Sequence, residues 1–389
     1  MTVLSPPPIV ADAHLQALQP ILDGIVGPRA ADIDRHGTFP REAVTALADA
    51  GLLGLTSAPE VGGQGRGLRE AAEVVERLAQ ACGSTAMVVM MHYAAVALLE
   101  QHADVAVRRR IAAGEHLSTL AFSETGSRSH FWAPVGSAAI HDDGATVRLD
   151  ARKSWVTSAG EADSYVWSSR PCAGEGMSLW LVPSDTPGLR VAGSFDGLGL
   201  RGNASRPVAG EGVLLPMTAL LGPHRGGTDV AFSTALPCFL VLNAAFSVGL
   251  MTALVEEARQ HLIRTRFEHL GQTLAEQPTA RLAFARLQVR LDLARTCLQD
   301  TISAIEEHRD DEMLRVLEVK AVGAEAAAEV ADGAMRLCGG AAFRKELGIE
   351  RRLRDSLAAR VMAPTTDALH DFIARLHCGM PLFDERGQS

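Results

Sequence analysis

Among the side chains able to move a proton are His92, in Met90-Met91-His92-Tyr93, His130, in Ser129-His130-Phe131-Trp132, and the neighbouring Asp367 and His370. An imidazole changes charge near neutral pH, so each histidine could serve as acid or base. The ordinary alternatives are a core histidine with both nitrogens satisfied and, for Asp367, a carboxylate that complements a helix dipole. Other residue types on the chain can bind planar or anionic groups. Trp155, in Lys153-Ser154-Trp155-Val156-Thr157, offers an aromatic wall, and Ser123 and Thr157 add hydroxyls. Arg264 and Phe267 pair a guanidinium fork with a ring, which suits an anion beside an aromatic base. Gly339-Gly340, three residues after Arg336, would let a helix end approach an anion closely. Thr365 is a good helix N-cap.

These residues need a scaffold, and composition bounds it. The chain has 389 residues, 47 % apolar and 21 % charged, enough for two or three core-bearing segments. Its 37 basic and 46 acidic residues leave a formal charge of −9, which argues against nucleic acid or an anionic membrane as partner. Six scattered cysteines without Cys-x-x-Cys spacing suggest neither a metal site nor a disulfide framework. The Met-Thr-Val-Leu-Ser-Pro-Pro-Pro start lacks the pattern of a signal peptide, so a cytoplasmic location is expected. The uncharged stretch 230–255 is long enough to span a bilayer, but it holds Pro237 and Asn243 and reads better as a buried bundle helix.

Periodicity divides the chain into an N-terminal helical domain (1–118), a β-barrel domain (119–225) and a C-terminal four-helix bundle (226–389), an α+β multi-domain architecture. Strands are expected at 119–122, 146–149, 165–167, 179–182 and 212–215, where apolar runs alternate with Gly, Asp and Pro turns. Bundle helices are expected near 230–266, 276–308, 312–337 and 364–377.

The motifs resemble those of the acyl-CoA dehydrogenase family over almost the whole chain. Gly51-Leu52-Leu53-Gly54-Leu55 with Pro59-Glu60-Val61-Gly62-Gly63 is similar to the family's opening helix and loop, and Arg354-Asp355 to its C-terminal signature. The resemblance implies FAD, with FMN or a diffusible reduced flavin as the alternative. Phe122 and Ser123 would hold the flavin's pyrimidine edge, Trp155 would lie along the ring, and Thr157, after Val156, would face N5. Arg264, Phe267 and Gln277 would reach the FAD of a neighbouring subunit, with Arg336, Gly339, Gly340 and Thr365 also along the cofactor. A homotetramer, a dimer of dimers, is implied.

The departures cluster around the substrate. Counting from Arg354-Asp355, the family's catalytic glutamate falls on Ala363, and its second known carboxylate position on Phe239. Asp367, His92, His130 and His370 are then the candidate replacements, Asp367 because it lies one turn beyond Ala363. The resemblance implies a flavin-dependent oxidoreductase acting on a small-molecule or thioester substrate, CoA- or carrier-linked, with an atypical base. Two alternatives stay open: a two-component monooxygenase that uses reduced flavin and O₂, and a non-catalytic flavin-binding subunit. An electron-transfer flavoprotein or a flavin reductase is the expected redox partner.

Overall fold

The computed structural model describes residues 13–127, 130–141, 144–345 and 347–383. The chain opens with α1 (Ala13–Ile21), α2 (Gly27–His36), α3 (Arg41–Asp49), α4 (Leu68–Ala81), α5 (Gly83–His102) and α6 (Val105–Ala112). The start of α4 is fixed by Glu70, whose carboxylate accepts the Gly67 N–H at 2.9 Å. Nearly every side chain of α5 from Gly83 to Leu99 is buried, so this helix is apolar on all faces.

The middle region contains β1 (Ser118–Ala121), β2 (Ser137–His141), β3 (Thr146–Val156), β4 (Ser164–Ser169), β5 (Ser178–Pro183), β6 (Leu189–Val191), β7 (Arg206–Pro216) and β8 (Leu220–Leu221). Expected as a small barrel, it is built as two four-stranded sheets, ordered β1-β4-β5-β8 and β2-β3-β7-β6. An isolated bridge between Glu124 and Lys153 ties the end of β1 to β3. The strands that the pattern did not announce, β2, β6 and β8, all lie at sheet edges, where only weak apolar alternation is needed.

The register of β3 on β7 slips between Lys153 and Val156, and Trp155 there takes a positive φ of 58°. A bulky residue rarely adopts that conformation. The bulge re-aims the indole, which is 68 % exposed, while Val156 beside it is buried.

In the C-terminal region α7 (Gly227–Val230) runs through a π turn (Ala231–Ala235) into α8 (Leu236–Arg264). A short hairpin of β9 (Arg266–Phe267) and β10 (Gln272–Thr273) leads to α9 (Pro278–Glu306) and α10 (Glu312–Cys338). The chain then forms α11 (Gly340–Phe343), α12 (Ile349–Ser356), α13 (Ala358–Val361) and α14 (Thr366–His377). Helix α8 packs on α4, α5, α9 and α10, which explains its uncharged first half. Both apolar segments long enough to cross a membrane, Gly83–His102 and Gly227–Arg264, are 89 % buried over their most apolar stretch and serve as core helices.

Arg354 and Asp355 of α12 lock the three regions together. The Arg354 guanidinium grips both Asp34 oxygens on α2 at 2.6 and 2.8 Å, reaches Glu350 at 2.8 Å, and donates to the Leu198 carbonyl at 3.1 Å. Asp355, 2 % exposed, accepts the Leu200 N–H at 2.6 Å. Burial raises its carboxyl to about 6. The backbone here is close-packed: a Cβ on Gly199 would lie 2.4 Å from the Arg354 carbonyl oxygen.

Candidate active site

A cleft of about 1000 Å³ opens where the three regions meet. From the β-domain come Phe122, Ser123, Trp155 and Thr157, together with the 195–200 loop and Asn203 and Ser205. The helical regions contribute Met91 of α5, Ala235, Leu236 and Phe239 of the π turn and α8, and the segment from Leu357 to Ala363. Ser123, Trp155 and Thr157, distant in sequence, thus line one cavity, as do Ala363 and Phe239.

Glu124 and Arg354 are the only ionisable side chains lining the cleft among the described residues, and both are held in ion pairs. Glu124 accepts from Lys153 Nζ at 2.5 Å and from the backbone N–H groups of Val135 and Gly136 at 2.6 and 2.7 Å. Lys153 also donates to the Ser168 carbonyl at 2.6 Å and to its hydroxyl at 2.9 Å. Both charges are buried and fully hydrogen-bonded, the condition under which a buried pair is tolerated. Burial holds the Lys153 ammonium down at about 8 against the pull of Glu124. The pair fixes the segment after β1 to β3, next in the chain to Ser123 and Ser154.

The four proposed proton carriers do not line this cleft. His92 is fully buried, accepts the Ser118 N–H at Nδ1 (3.2 Å), and therefore donates from Nε2 to the Leu53 carbonyl (3.1 Å). Burial keeps it neutral, with a pKa of about 4. It pins the 52–53 turn and the start of β1 to α5, and Tyr93 adds a hydroxyl bond to the Leu52 carbonyl at 2.6 Å. His130 stacks on Trp132 at 5.0 Å, outside the cavity. Asp367 and His370 lie on the exposed face of α14, because Leu369 and Phe372 take its buried face. A one-turn spacing from Ala363 does not carry across the break between α13 and α14.

The expected cofactor residues divide into two groups. Phe122, Ser123, Trp155 and Thr157 are in the cleft, while the Val156 side chain turns into the β-domain core. Arg264, Phe267, Gln277, Arg336, Gly339, Gly340 and Thr365 are outside it. Arg264 ends α8 with an exposed side chain, Phe267 meets His269 edge-on at 5.8 Å, and Gln277 donates to Gln272 at 2.8 Å. Arg336 is exposed and faces Asp332 at 3.5 Å. Gly339 and Gly340 have open space where a Cβ would stand. The Thr365 hydroxyl caps α14, accepting the Ala368 N–H at 3.3 Å.

Sequence reasoning overlooked Lys320. Its Nζ is buried and donates to the carbonyls of Met362 (2.7 Å) and Pro364, on either side of Ala363. Burial lowers it to about 7. A lone lysine on a helix face otherwise made of Val316, Leu317, Gly323 and Ala324 was the available signal.

Models of the acyl-CoA dehydrogenase N-terminal, middle and C-terminal domains match residues 13–114, 119–213 and 226–376. The chain belongs to the acyl-CoA dehydrogenase family. It is 25 % identical over 364 residues to a probable acyl-CoA dehydrogenase of Bacillus subtilis, covering 90 % of this chain and 93 % of that one. It is 29 % identical over 337 residues to the L-prolyl-[peptidyl-carrier protein] dehydrogenase of Pseudomonas fluorescens, covering 84 % and 87 %. The fold matches butyryl-CoA dehydrogenase from Megasphaera elsdenii with a TM-score of 0.88 at 18 % identity, covering 95 % and 99 %.

As a member of this family the chain is a flavin-dependent oxidoreductase, with FAD as the cofactor. The β-domain wall fits that group: an indole left 68 % exposed inside a cleft, flanked by hydroxyls, offers a flat apolar surface that a planar ring would cover.

Proposed function

We propose that this acyl-CoA dehydrogenase family member oxidises the acyl part of a thioester carried on coenzyme A or on a carrier protein, with an atypical base, in place of a carboxylate at position 363 or 239, taking the α-proton. The observation that carries this reading is the convergence of Ser123, Trp155 and Thr157 with Met91, Phe239 and Ala363 in one cleft. When bound, FAD supplies the two-electron redox chemistry. Trp155 would support its ring, Ser123 and Thr157 would orient it through their hydroxyls, and the apolar residues would exclude water from the substrate. Lys320 holds the backbone on both sides of Ala363 and so fixes the surface that a substrate would meet.

Arg264, Phe267, Gln277 and Arg336 lie on the outside of the bundle, where a second copy would bring its cofactor to them. On the outer face of α9, Leu282, Val289 and Leu293 are 56–58 % exposed at helical spacing, an apolar stripe that a neighbouring copy would cover. Both observations support a homotetramer built as a dimer of dimers. An electron-transfer flavoprotein is the redox partner under this reading. Six free cysteines are consistent with a cytoplasmic location.

The absence of a free base among the described cleft residues favours a second reading, in which reduced flavin from a reductase and O₂ oxygenate the substrate. The deciding experiment mixes FAD-loaded protein anaerobically with acyl-CoA and acyl-pantetheine thioesters. The thioester reading expects the flavin absorbance to bleach without oxygen. If no thioester bleaches it, while a flavin reductase, NADH and O₂ yield an oxygenated product, the second reading replaces the first.

A further inference from the structure

One part of the cleft wall is backed by a cluster of rings packed on one another. Phe131, 5 % exposed, lines the cavity. Phe122 stacks against it at 5.9 Å with 16° between the planes, and Phe232 of the π turn at 5.6 Å with 21°. Trp132 meets Phe131 edge-on at 5.2 Å. Phe383 touches both Phe232 (5.4 Å) and Trp132 (5.5 Å), and Phe372 of α14 backs Trp132 at 5.2 Å.

The rings come from four separate segments: the β1 end with its following loop, the π turn, α14 and the chain beyond it. Moving Phe131 aside would disturb contacts in all of them, and a packed interior does not yield to one side chain. Phe239, 6 % exposed and one turn beyond Ala235, occupies the adjoining wall of α8. Phe131 and Phe239 thus present packed aromatic surface to the cleft.

We infer that this ring wall sets the size of the acyl group: the cleft takes compact acyl groups, short, branched or cyclic, and rejects long straight chains, with Phe131 and Phe239 as the limiting residues. The inference rests on the acyl-thioester reading proposed above. Aromatic faces also suit a cyclic group, which can lie flat against them.

Equilibrium binding to FAD-loaded wild-type protein, read from perturbation of the flavin spectrum, tests this. The probes are propionyl, isobutyryl, cyclopentanecarbonyl, octanoyl and palmitoyl thioesters of CoA and of pantetheine. Burial alone makes each added methylene tighten binding, so a preference for the smaller groups is diagnostic. Compact groups are expected to bind about 10-fold or more tighter than octanoyl. Phe131→Ala and Phe239→Ala should each bring octanoyl to within about 3-fold of isobutyryl by removing a ring from its path.

Equal or tighter binding of octanoyl and palmitoyl by the wild type would overturn the inference and leave the thioester reading standing. Compact preference that neither variant relaxes would overturn the assignment to these rings. No spectral response to any thioester would remove the thioester reading and this inference with it. Should Phe131→Ala fail to fold, the wild-type series and Phe239→Ala still decide.

Discussion

The β-domain wall of the cleft presents Ser123, Trp155 and Thr157 above a buried, fully hydrogen-bonded Lys153–Glu124 pair. The helical wall presents Met91, Leu236, Phe239, Met362 and Ala363, with no free acid or base among its described residues. One wall keeps a polar, pre-arranged surface for a planar group, and the other has become an apolar mould. The polar wall and the apolar wall face each other across one cleft, and the helical side presents alanine at 363 and phenylalanine at 239.

The largest expected effect comes from putting a carboxylate on the helical wall. Ala363→Glu should raise the rate of anaerobic flavin reduction by a compact acyl thioester by about 10²–10⁴, the usual contribution of a placed general base. Stopped-flow absorbance measures it. An unchanged rate would mean that the proton does not leave toward this wall, and the contrast between the walls would lose its catalytic meaning.

Lys153→Met tests the other wall. It leaves the Glu124 charge buried without its ammonium partner, and breaking a buried pair in this way costs about 3–5 kcal/mol. Urea denaturation should register that loss, together with weakened FAD uptake as the Ser123 and Trp155 strands come apart. A stability change within about 1 kcal/mol, typical of an exposed pair, would contradict the buried arrangement.

The smallest effect concerns the junction that carries both walls. His92 sits at about 4 in the fold against an ordinary 6.5, so the unfolded chain binds more protons between those values. Its contribution is fully present above about pH 6.5 and is lost as the pH falls through about 4, a change of roughly 3 kcal/mol for a shift of this size. His116, also lowered chiefly by burial, adds in the same direction. Urea midpoints between pH 7.5 and 4.5 should therefore fall, and His92→Leu, though less stable at pH 7.5, should show a flatter acid slope. Parallel slopes in the two proteins would mean that His92 is not held neutral.

Much of the molecule was legible in its residues. The helical, β and helical order follows from apolar periodicity, and the bundle segments expected at 276–308 and 312–337 match α9 and α10 closely, because long helices repeat their pattern many times. The edge strands escaped because a strand with one unpaired side needs no strong signature. Ser123, Trp155 and Thr157 could be named because their two short runs resemble motifs of the family, while their meeting in one cleft is a matter of the fold. The ring wall could not, since Phe122, Phe131, Phe232, Phe372 and Phe383 span most of the chain and meet only in the fold.

The sequence by itself determined that positions 363 and 239 carry no ionisable group, that an aromatic and hydroxyls stand on one strand run, and that two helical regions bracket a β region. The tertiary structure alone decided which ionisable groups reach the cleft. His92, Asp367 and Lys320 all sit on helices, and spacing leaves the helix's rotation about its own axis open. Packing sets that rotation: Leu369 and Phe372 turn Asp367 outward, the Leu53 and Ser118 backbone captures His92, and the Met362 and Pro364 carbonyls draw Lys320 inward behind Ala363. A side chain's chemistry is written locally, but where it points depends on contacts made by residues far away in the chain.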